Sequence, residues 1–330
     1  MKQIRIGFIG CGGIANAHAE RLRSIPEAEI VALCDPLDES MERFVKLNPE
    51  AAKVPRFEDD WLKMLDTVEM DAVGIFTPHT LHFEQTMAAL DRGLHVLAEK
   101  PMVCTSDRAR QIIKKLDETG LKLQISYQRH FDPVFQVARE MIANGDIGDL
   151  QFVHCHQGQE WLKSQSGTWR QILELSGGGQ LNDSGSHLID IILWVTGLEA
   201  ESVHAFVDNC GTPVDINSAV NIRFKSGAQG SISVVGSCPV WTEEHTFFGE
   251  KGVLNINDGA LYLSVPGKDK KVVDLPDSPG EDPDRNFVDA ILGEAELVVP
   301  ATCGLRVIEL TESAWESGKT GKCVAVKVGD

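Results

Sequence analysis

The opening of this chain constrains its fold more than any other feature. An apolar run, Ile4–Ile9, leads directly into Gly10-Cys11-Gly12-Gly13-Ile14-Ala15 and then into a helical pattern. Strand, glycine turn and helix in that order form the first half of a βαβ unit. Gly10 permits the tight turn, Gly12 lets the backbone approach a phosphate, and Ala15 is small enough for close helix–strand packing. Unpaired N–H groups and the dipole at the helix start favour an anion, so Gly10, Gly12, Gly13, Ile14 and Ala15 are read as a pyrophosphate cradle. Asp35 follows at the end of the next apolar run, where an acidic residue bonds the ribose hydroxyls of a dinucleotide. A glycine turn that binds nothing, with Asp35 capping the following helix, is the alternative. A carboxylate repels a 2′-phosphate, and residues 36–39 read Pro-Leu-Asp-Glu with no basic side chain. NAD is therefore expected as cofactor in preference to NADP.

The same alternation continues to residue 126. Apolar runs at Ile30–Cys34, Ala72–Thr77, His95–Ala98 and Lys122–Ser126 are separated by amphipathic stretches near 14–24, 37–47, 58–65, 80–91 and 105–119. Strands without strict polar alternation, joined by helices, imply a parallel sheet covered on both faces. After Arg129 the rhythm changes. A helical pattern at 132–144 precedes strand-like runs near 150–157, 202–207, 216–225, 228–235, 245–249, 252–256 and 260–264, interrupted by a helix at His187–Val195. Two helical stretches, 284–292 and 301–317, close the chain. The expected fold is an α/β Rossmann domain with a parallel sheet over 1–126, followed by an α+β domain over 127–300 with a mostly antiparallel open sheet. The helix at 301–317 is expected to pack back on the first domain.

With 31 basic and 49 acidic side chains the net charge is −18, which argues against nucleic-acid and anionic-membrane partners. Backbone N–H groups still bind phosphate locally. No signal-peptide core and no apolar run of bilayer length is visible, so a cytoplasmic location is expected. The eight cysteines form no C-x-x-C pair and read as reduced thiols rather than a disulfide framework or a zinc site.

Three further segments add to the glycine turn: FTPHTLHFEQTMAALDRGLHVLAEKP at 76–101, TWRQILELSGGGQLNDSGSHLIDIILWVTG at 168–197 and FGEKGVLNIND at 248–258. Together they resemble the Gfo/Idh/MocA family over nearly the whole chain. The combination of glycine turn, E-K-P and a later D-x-x-x-H carries the specificity. The resemblance implies hydride transfer between NAD(P) and a secondary alcohol of a sugar, sugar acid or cyclitol. It places Thr77, Pro78 and His82 near the nicotinamide end of the cofactor. The Glu-Lys-Pro falls on Glu99, Lys100 and Pro101, and the Asp and His fall on Asp183 and His187. The implied catalytic set is Lys100, Asp183 and His187.

The residues themselves allow that reading. Lys100 follows a strand carboxyl end, where open α/β sheets place ligands, and a lysine there steadies developing alkoxide charge. Its alternative is a solvated loop lysine balanced by Glu99. His187 would take the hydroxyl proton, with Asp183 holding the imidazole. Alternatively, Asp183 caps the helix and His187 sits in the core. The glycines at 177–179 suggest close backbone approach to a ligand. Asp190 would orient His187 or pair with Arg170. Arg129, Trp161, Trp169 and Arg170 are candidates to line a polyol pocket, with packing as their alternative. His154 and His156 share one strand face, but no metal is expected. A sheet with few covering helices suggests a homodimer or homotetramer. Two other functions stay open: an NAD-dependent glycoside hydrolase and a non-catalytic NAD-binding sensor.

Overall fold

The computed structural model describes residues 3–277 and 281–327. The chain divides into two compact units. One comprises the chain as far as Val103, Asp107–Gln128, and a late segment ending at Gly304. The other comprises Cys104–Ser106, the stretch from Arg129 to the loop before that late segment, and the stretch from Leu305 onward.

In the first unit, β1 (Ile4–Ile9), α1 (Gly13–Arg23), β2 (Ala28–Cys34), α2 (Asp38–Leu47), β3 (Arg56–Phe57), α3 (Trp61–Thr67), β4 (Ala72–Ile75), α4 (His82–Asp91), β5 (His95–Ala98), α5 (Ser106–Thr119) and β6 (Leu123–Ile125) alternate along the chain. The strands form a six-stranded parallel sheet in the order β3-β2-β1-β4-β5-β6. The order reverses between β1 and β4, so their carboxyl ends open a crevice at the switch point, where this architecture binds ligands. Ile4, Ile6, Phe8, Leu33, Phe44 and Leu97 build the core on one side of the sheet.

The second unit contains α6 (Pro133–Ala143), β7 (Leu150–Glu160), α7 (Trp161–Ser164), α8 (Leu173–Ser176), α9 (Ser184–Thr196), then β8 (Ala200–Asp208), β9 (Asn217–Phe224), β10 (Gln229–Val235), β11 (Ser237–Gly249), β12 (Val253–Asn257), β13 (Ala260–Ser264) and β14 (Lys271–Val272). After α10 (Pro283–Leu292) and α11 (Ala301–Thr320), a final β15 (Val324–Ala325) joins the edge beside β8. The nine strands run in the order β14-β13-β12-β11-β7-β10-β9-β8-β15, antiparallel throughout except for the parallel β7–β10 pair. One face of this sheet is apolar and buried: Val153 and Cys155 of β7, Ile232 and Val234 of β10, and Phe247 of β11. The α6 and α9 helices pack on each other, and α9 packs on β7. Among the described residues no helix is long and apolar enough to cross a membrane.

The two tail helices depart from expectation. It is α10 that packs in the first unit, because Phe287 and Val288 are fully buried in the core around Ile4, Ile6 and Phe8. Most of α11 belongs to the second unit. Arg306 donates to the carbonyls of Leu193 and Leu198, and Ser317 Oγ accepts from Ala205 N.

Candidate active site

The glycine turn is built for close approach. Gly10 has φ +93°, and a Cβ there would stand 2.6 Å from the carbonyl oxygen of Phe76. Only glycine fits both the conformation and the space. Gly12 is the N-cap of α1 and supplies no side-chain cap, and Cβ positions at Gly12 and Gly13 would meet open space. Ala15 is fully buried behind the turn, while Ile14 stays exposed. The first-turn N–H groups thus face outward, uncapped by any side chain, as an anion site requires. Asp35 is fastened to this turn: Oδ2 accepts from Cys11 N at 2.8 Å and Oδ1 from Leu37 N at 2.9 Å. Each carboxylate oxygen keeps acceptor capacity for a hydroxyl. The uncapped helix start, the open glycines and the anchored acid fit a dinucleotide.

Two loops follow the carboxyl ends of β4 and β5. Thr77 and Pro78 are half-buried, and the Thr77 hydroxyl donates to Gln85 Oε1 at 2.6 Å. His82, expected to face the cofactor, is instead fully buried. Its Nδ1 lies 2.8 Å from the carbonyl of Pro101 and its Nε2 lies 2.9 Å from that of Thr77. Burial pushes its pKa down, against the two carbonyls. His82 therefore packs between the two loops, its single N–H donating to one of the two carbonyls. Glu99 is also turned inward, 6% exposed: Oε1 meets His18 Nε2 at 3.1 Å and Oε2 accepts from Lys100 N at 3.1 Å. Burial alone would raise its pKa, but His18 and Lys100 hold it below the usual carboxylate value. Lys100, half-buried, begins the turn through the cis peptide to Pro101.

In the second unit, Asp183 occupies the N-cap position of α9, but its side chain makes no capping bond. Its Oδ2 accepts from Trp161 Nε1 at 2.9 Å and from Arg170 Nε at 3.0 Å. Those two donors fix the carboxylate in direction. The Arg170 guanidinium lies 4.5 Å over the Trp169 ring. His187 is half-buried in the first turn of α9, four residues beyond Asp183.

Several expectations change here. Asp190 neither orients His187 nor pairs with Arg170. It accepts from His130 Nε2 at 2.7 Å, deep in the fold, where burial raises its pKa. Arg129 spends its charge on Glu243 at 2.5 Å and stacks over Phe135 rather than lining an open pocket. Burial opposes the Glu243 charge, yet His245 and Arg129 hold its carboxyl down to about 2. Trp161 packs with Val214 and Ile216 and reaches the site only through its N–H. His154 and His156 are half-buried on one face of β7. Among the described residues no group of three or more His, Cys, Asp or Glu is gathered as metal ligands.

The glycine triplet serves packing, not ligand approach. Gly177 closes α8 at φ +67°. A Cβ at Gly178 would fall 2.4 Å from the Trp315 ring, and one at Gly179 would fall 1.9 Å from the carbonyl oxygen of Asp215. Asp215 pins this loop: Oδ1 accepts from Gly179 N and Trp315 Nε1, both at 2.9 Å, and Oδ2 accepts from Leu181 N at 2.7 Å. Asp215 and Trp315 were not anticipated. The run of glycines signalled a tight contact but not with what.

Residues 4–127 match the oxidoreductase family with an NAD-binding Rossmann fold, and residues 135–255 match the GFO/IDH/MocA C-terminal domain. The rhizopine catabolism protein MocA of Rhizobium meliloti is 31% identical over 325 residues, covering 96% of this chain and 95% of that one. The scyllo-inositol 2-dehydrogenase (NAD(+)) of Bacillus subtilis (strain 168) is 27% identical over 247 residues, covering 72% and 68%. A solved levoglucosan dehydrogenase in complex with NADH and L-sorbose has the same fold, with a TM-score of 0.88 over 99% of each chain at 20% identity. The family model and the named dehydrogenase relatives together make this an NAD(P)-dependent oxidoreductase. The chain belongs to the Gfo/Idh/MocA family.

Proposed function

We propose that this enzyme oxidises a secondary alcohol of a sugar, sugar acid or cyclitol and prefers NAD to NADP. The observation that carries the cofactor preference is Asp35, anchored at the glycine turn with no basic residue among 36–39. The substrate class is supported by relatives named for inositol, glucoside and levoglucosan. Bound NAD supplies the hydride acceptor. Its pyrophosphate belongs with Gly10, Gly12, Gly13, Ile14 and Ala15, and its nicotinamide end with Thr77 and Pro78.

On the protein side, His187 takes the hydroxyl proton and Asp183 provides the counter-charge that favours the resulting imidazolium. Trp161 and Arg170 hold Asp183 in place for that task. Lys100 donates a hydrogen bond to the substrate oxygen and steadies its developing negative charge. Trp169 offers an aromatic face to sugar C–H surfaces, and Arg170 offers donors to hydroxyls.

The same reading includes a homodimer or homotetramer in the cytoplasm. Phe206, Trp241 and Phe248 on the second sheet are 69%, 60% and 38% exposed, apolar surface that a partner copy would cover. Eight cysteines scattered without a C-x-x-C pair suit a reducing compartment.

A panel of sugars, sugar acids and cyclitols, offered with NAD and with NADP and followed by absorbance of the reduced cofactor, tests the function. Reduction of NAD by at least one member is expected, and reduction by none would overturn it. Lys100→Ala should lower turnover by about 10²–10⁴ while NAD affinity changes little.

A further inference from the structure

We infer that His18 and Asp284 are positioning residues for Lys100, acting through Glu99. The inference rests on the proposed role of Lys100 at the substrate oxygen. It starts from a buried ion set in the first unit that the cofactor site does not explain. His18, on α1, is fully buried, and its ring bridges two carboxylates. Nδ1 lies 2.7 Å from Asp284 Oδ1 on α10, and Nε2 lies 3.1 Å from Glu99 Oε1 at the end of β5. Asp284 is also fully buried and accepts from Arg21 through its other oxygen. Ser126 Oγ stands 3.4 Å from His18 Nε2.

A neutral imidazole has one N–H and donates to one carboxylate only, so the arrangement calls for the doubly protonated ring. Two anions, Asp284 and Glu99, then balance two cations, His18 and Arg21. Burial opposes the charge on His18, but Asp284 and Glu99 outweigh it and raise its pKa to about 9. Phe76 stacks on the ring with centroids 4.4 Å apart and blocks its rotation.

Such a set is a poor choice for stability alone, since well-packed apolar residues would serve as well or better. What it delivers is direction. With Oε1 held by His18, the other oxygen of Glu99 faces the backbone N–H of Lys100 and accepts from it at 3.1 Å. The buried His82 ring packs against the far side of the same turn, beside the Pro101 carbonyl. Helix α10, from the other end of the chain, thereby sets the main chain from which the Lys100 side chain projects.

The test uses Asp284→Asn and His18→Gln, both close in shape to the originals, with Lys100→Ala as reference. Amide hydrogen exchange at Lys100, nitrogen NMR of His18, melting temperature, kcat and KM are measured on each folded protein. In the wild type both ring nitrogens of His18 should remain protonated above the ordinary histidine range. In either variant the Lys100 amide should exchange at least about tenfold faster, and kcat should fall about ten- to a hundredfold with KM for NAD changed less than about threefold. The double variant should be no worse than the worse single, because both residues act through Glu99. If Lys100→Ala is inactive while both variants keep wild-type kcat and Lys100 protection, whatever their melting temperatures, the positioning role is wrong. If Lys100→Ala itself turns over normally, the reading of Lys100 beneath it fails.

Discussion

Asp215→Asn probes the loop that delivers Asp183 to the start of α9. The wild-type carboxylate satisfies three buried donors: Gly179 N and Trp315 Nε1 on Oδ1, and Leu181 N on Oδ2. Asparagine keeps the shape. With its carbonyl in the Oδ1 place it retains two bonds, but its NH2 then faces the Leu181 N–H, donor to donor. A charge-assisted bond and its orphaned donor cost about 2–3 kcal/mol. Part of that is offset, because burial raises the Asp215 pKa and makes its charge costly in the folded state. The net loss should be about 2 kcal/mol. Asp215→Ala orphans all three donors and should lose about 3–5 kcal/mol. At roughly 2–4 °C per kcal/mol, the melting temperature should fall by about 4–8 °C for Asn and about twice that for Ala. Because the loop carries Asp183, kcat measured well below either melting temperature should fall as well. The pH sign is fixed. A carboxyl whose folded pKa is raised contributes stability below its unfolded pKa and loses it as pH rises through the folded value. Asparagine does not titrate, so the gap between wild type and Asp215→Asn should widen as pH falls. An Asp215→Ala protein that melts within about 1 °C of wild type with unchanged kcat would refute the pinning argument.

The wild type should bind NAD about 10–100-fold more tightly than NADP, and Asp35→Ser with Pro36→Arg should narrow that ratio. Titrations showing NADP bound more tightly by the wild type would contradict the role given to Asp35. Alcohol oxidation should rise with pH as His187 loses its proton, and His187→Ala should abolish this acidic limb along with most turnover. Asp183→Asn should lower turnover less and move the limb to lower pH, and a folded His187→Ala that keeps the limb transfers the base role to Lys100. Glu243, with its folded carboxyl at about 2 against an ordinary 4.5, contributes stability above the ordinary value that is lost as pH falls through about 2. Acid unfolding of Glu243→Gln should therefore be shallower across that window, and an acid limb identical to wild type would show that Arg129 does not hold the charge. Light scattering at micromolar concentration should find a dimer or tetramer, and a monomer would contradict the open-sheet reading.

The first unit was legible because its physics is local. Strands covered on both faces are apolar throughout, and each crossover helix has its own period, so β1 and β5 fall at Ile4–Ile9 and His95–Ala98 as expected. The two-residue β3 is too short to show any period. In the second sheet the runs were visible but their order was not. That β7 pairs in parallel with β10, and that β15 returns to the edge beside β8, depends on contacts remote in sequence. Strand β11 begins at Ser237, eight residues before its apolar signal, because its first half is largely exposed and its pairing with β7 shifts register between Ser237 and Thr242.

The site divides along the same line. The positions of Asp35 and Lys100 could be read because topology alone places a strand's carboxyl end at the crevice, whatever the side chains nearby. The use to which a polar residue is put depends instead on who reaches it first. Arg129 looks like a pocket residue until Glu243, 114 positions away, claims its guanidinium, and Asp190 looks like a partner for His187 until His130, 60 positions away, takes it. His82 and Glu99 follow the same rule: next to the motif, yet turned inward to hold loops rather than outward to a ligand. Glycine shows it most sharply. Gly10 and Gly179 are alike in sequence, and each sits where a Cβ would strike a carbonyl oxygen. At Gly10 the closeness lets the tight turn before α1 form against the Phe76 carbonyl and leaves Gly12 and Gly13 open. At Gly179 the closeness is spent entirely on Asp215. A glycine in a sequence therefore announces that something comes near, and only the fold says whether the neighbour is the protein or its ligand.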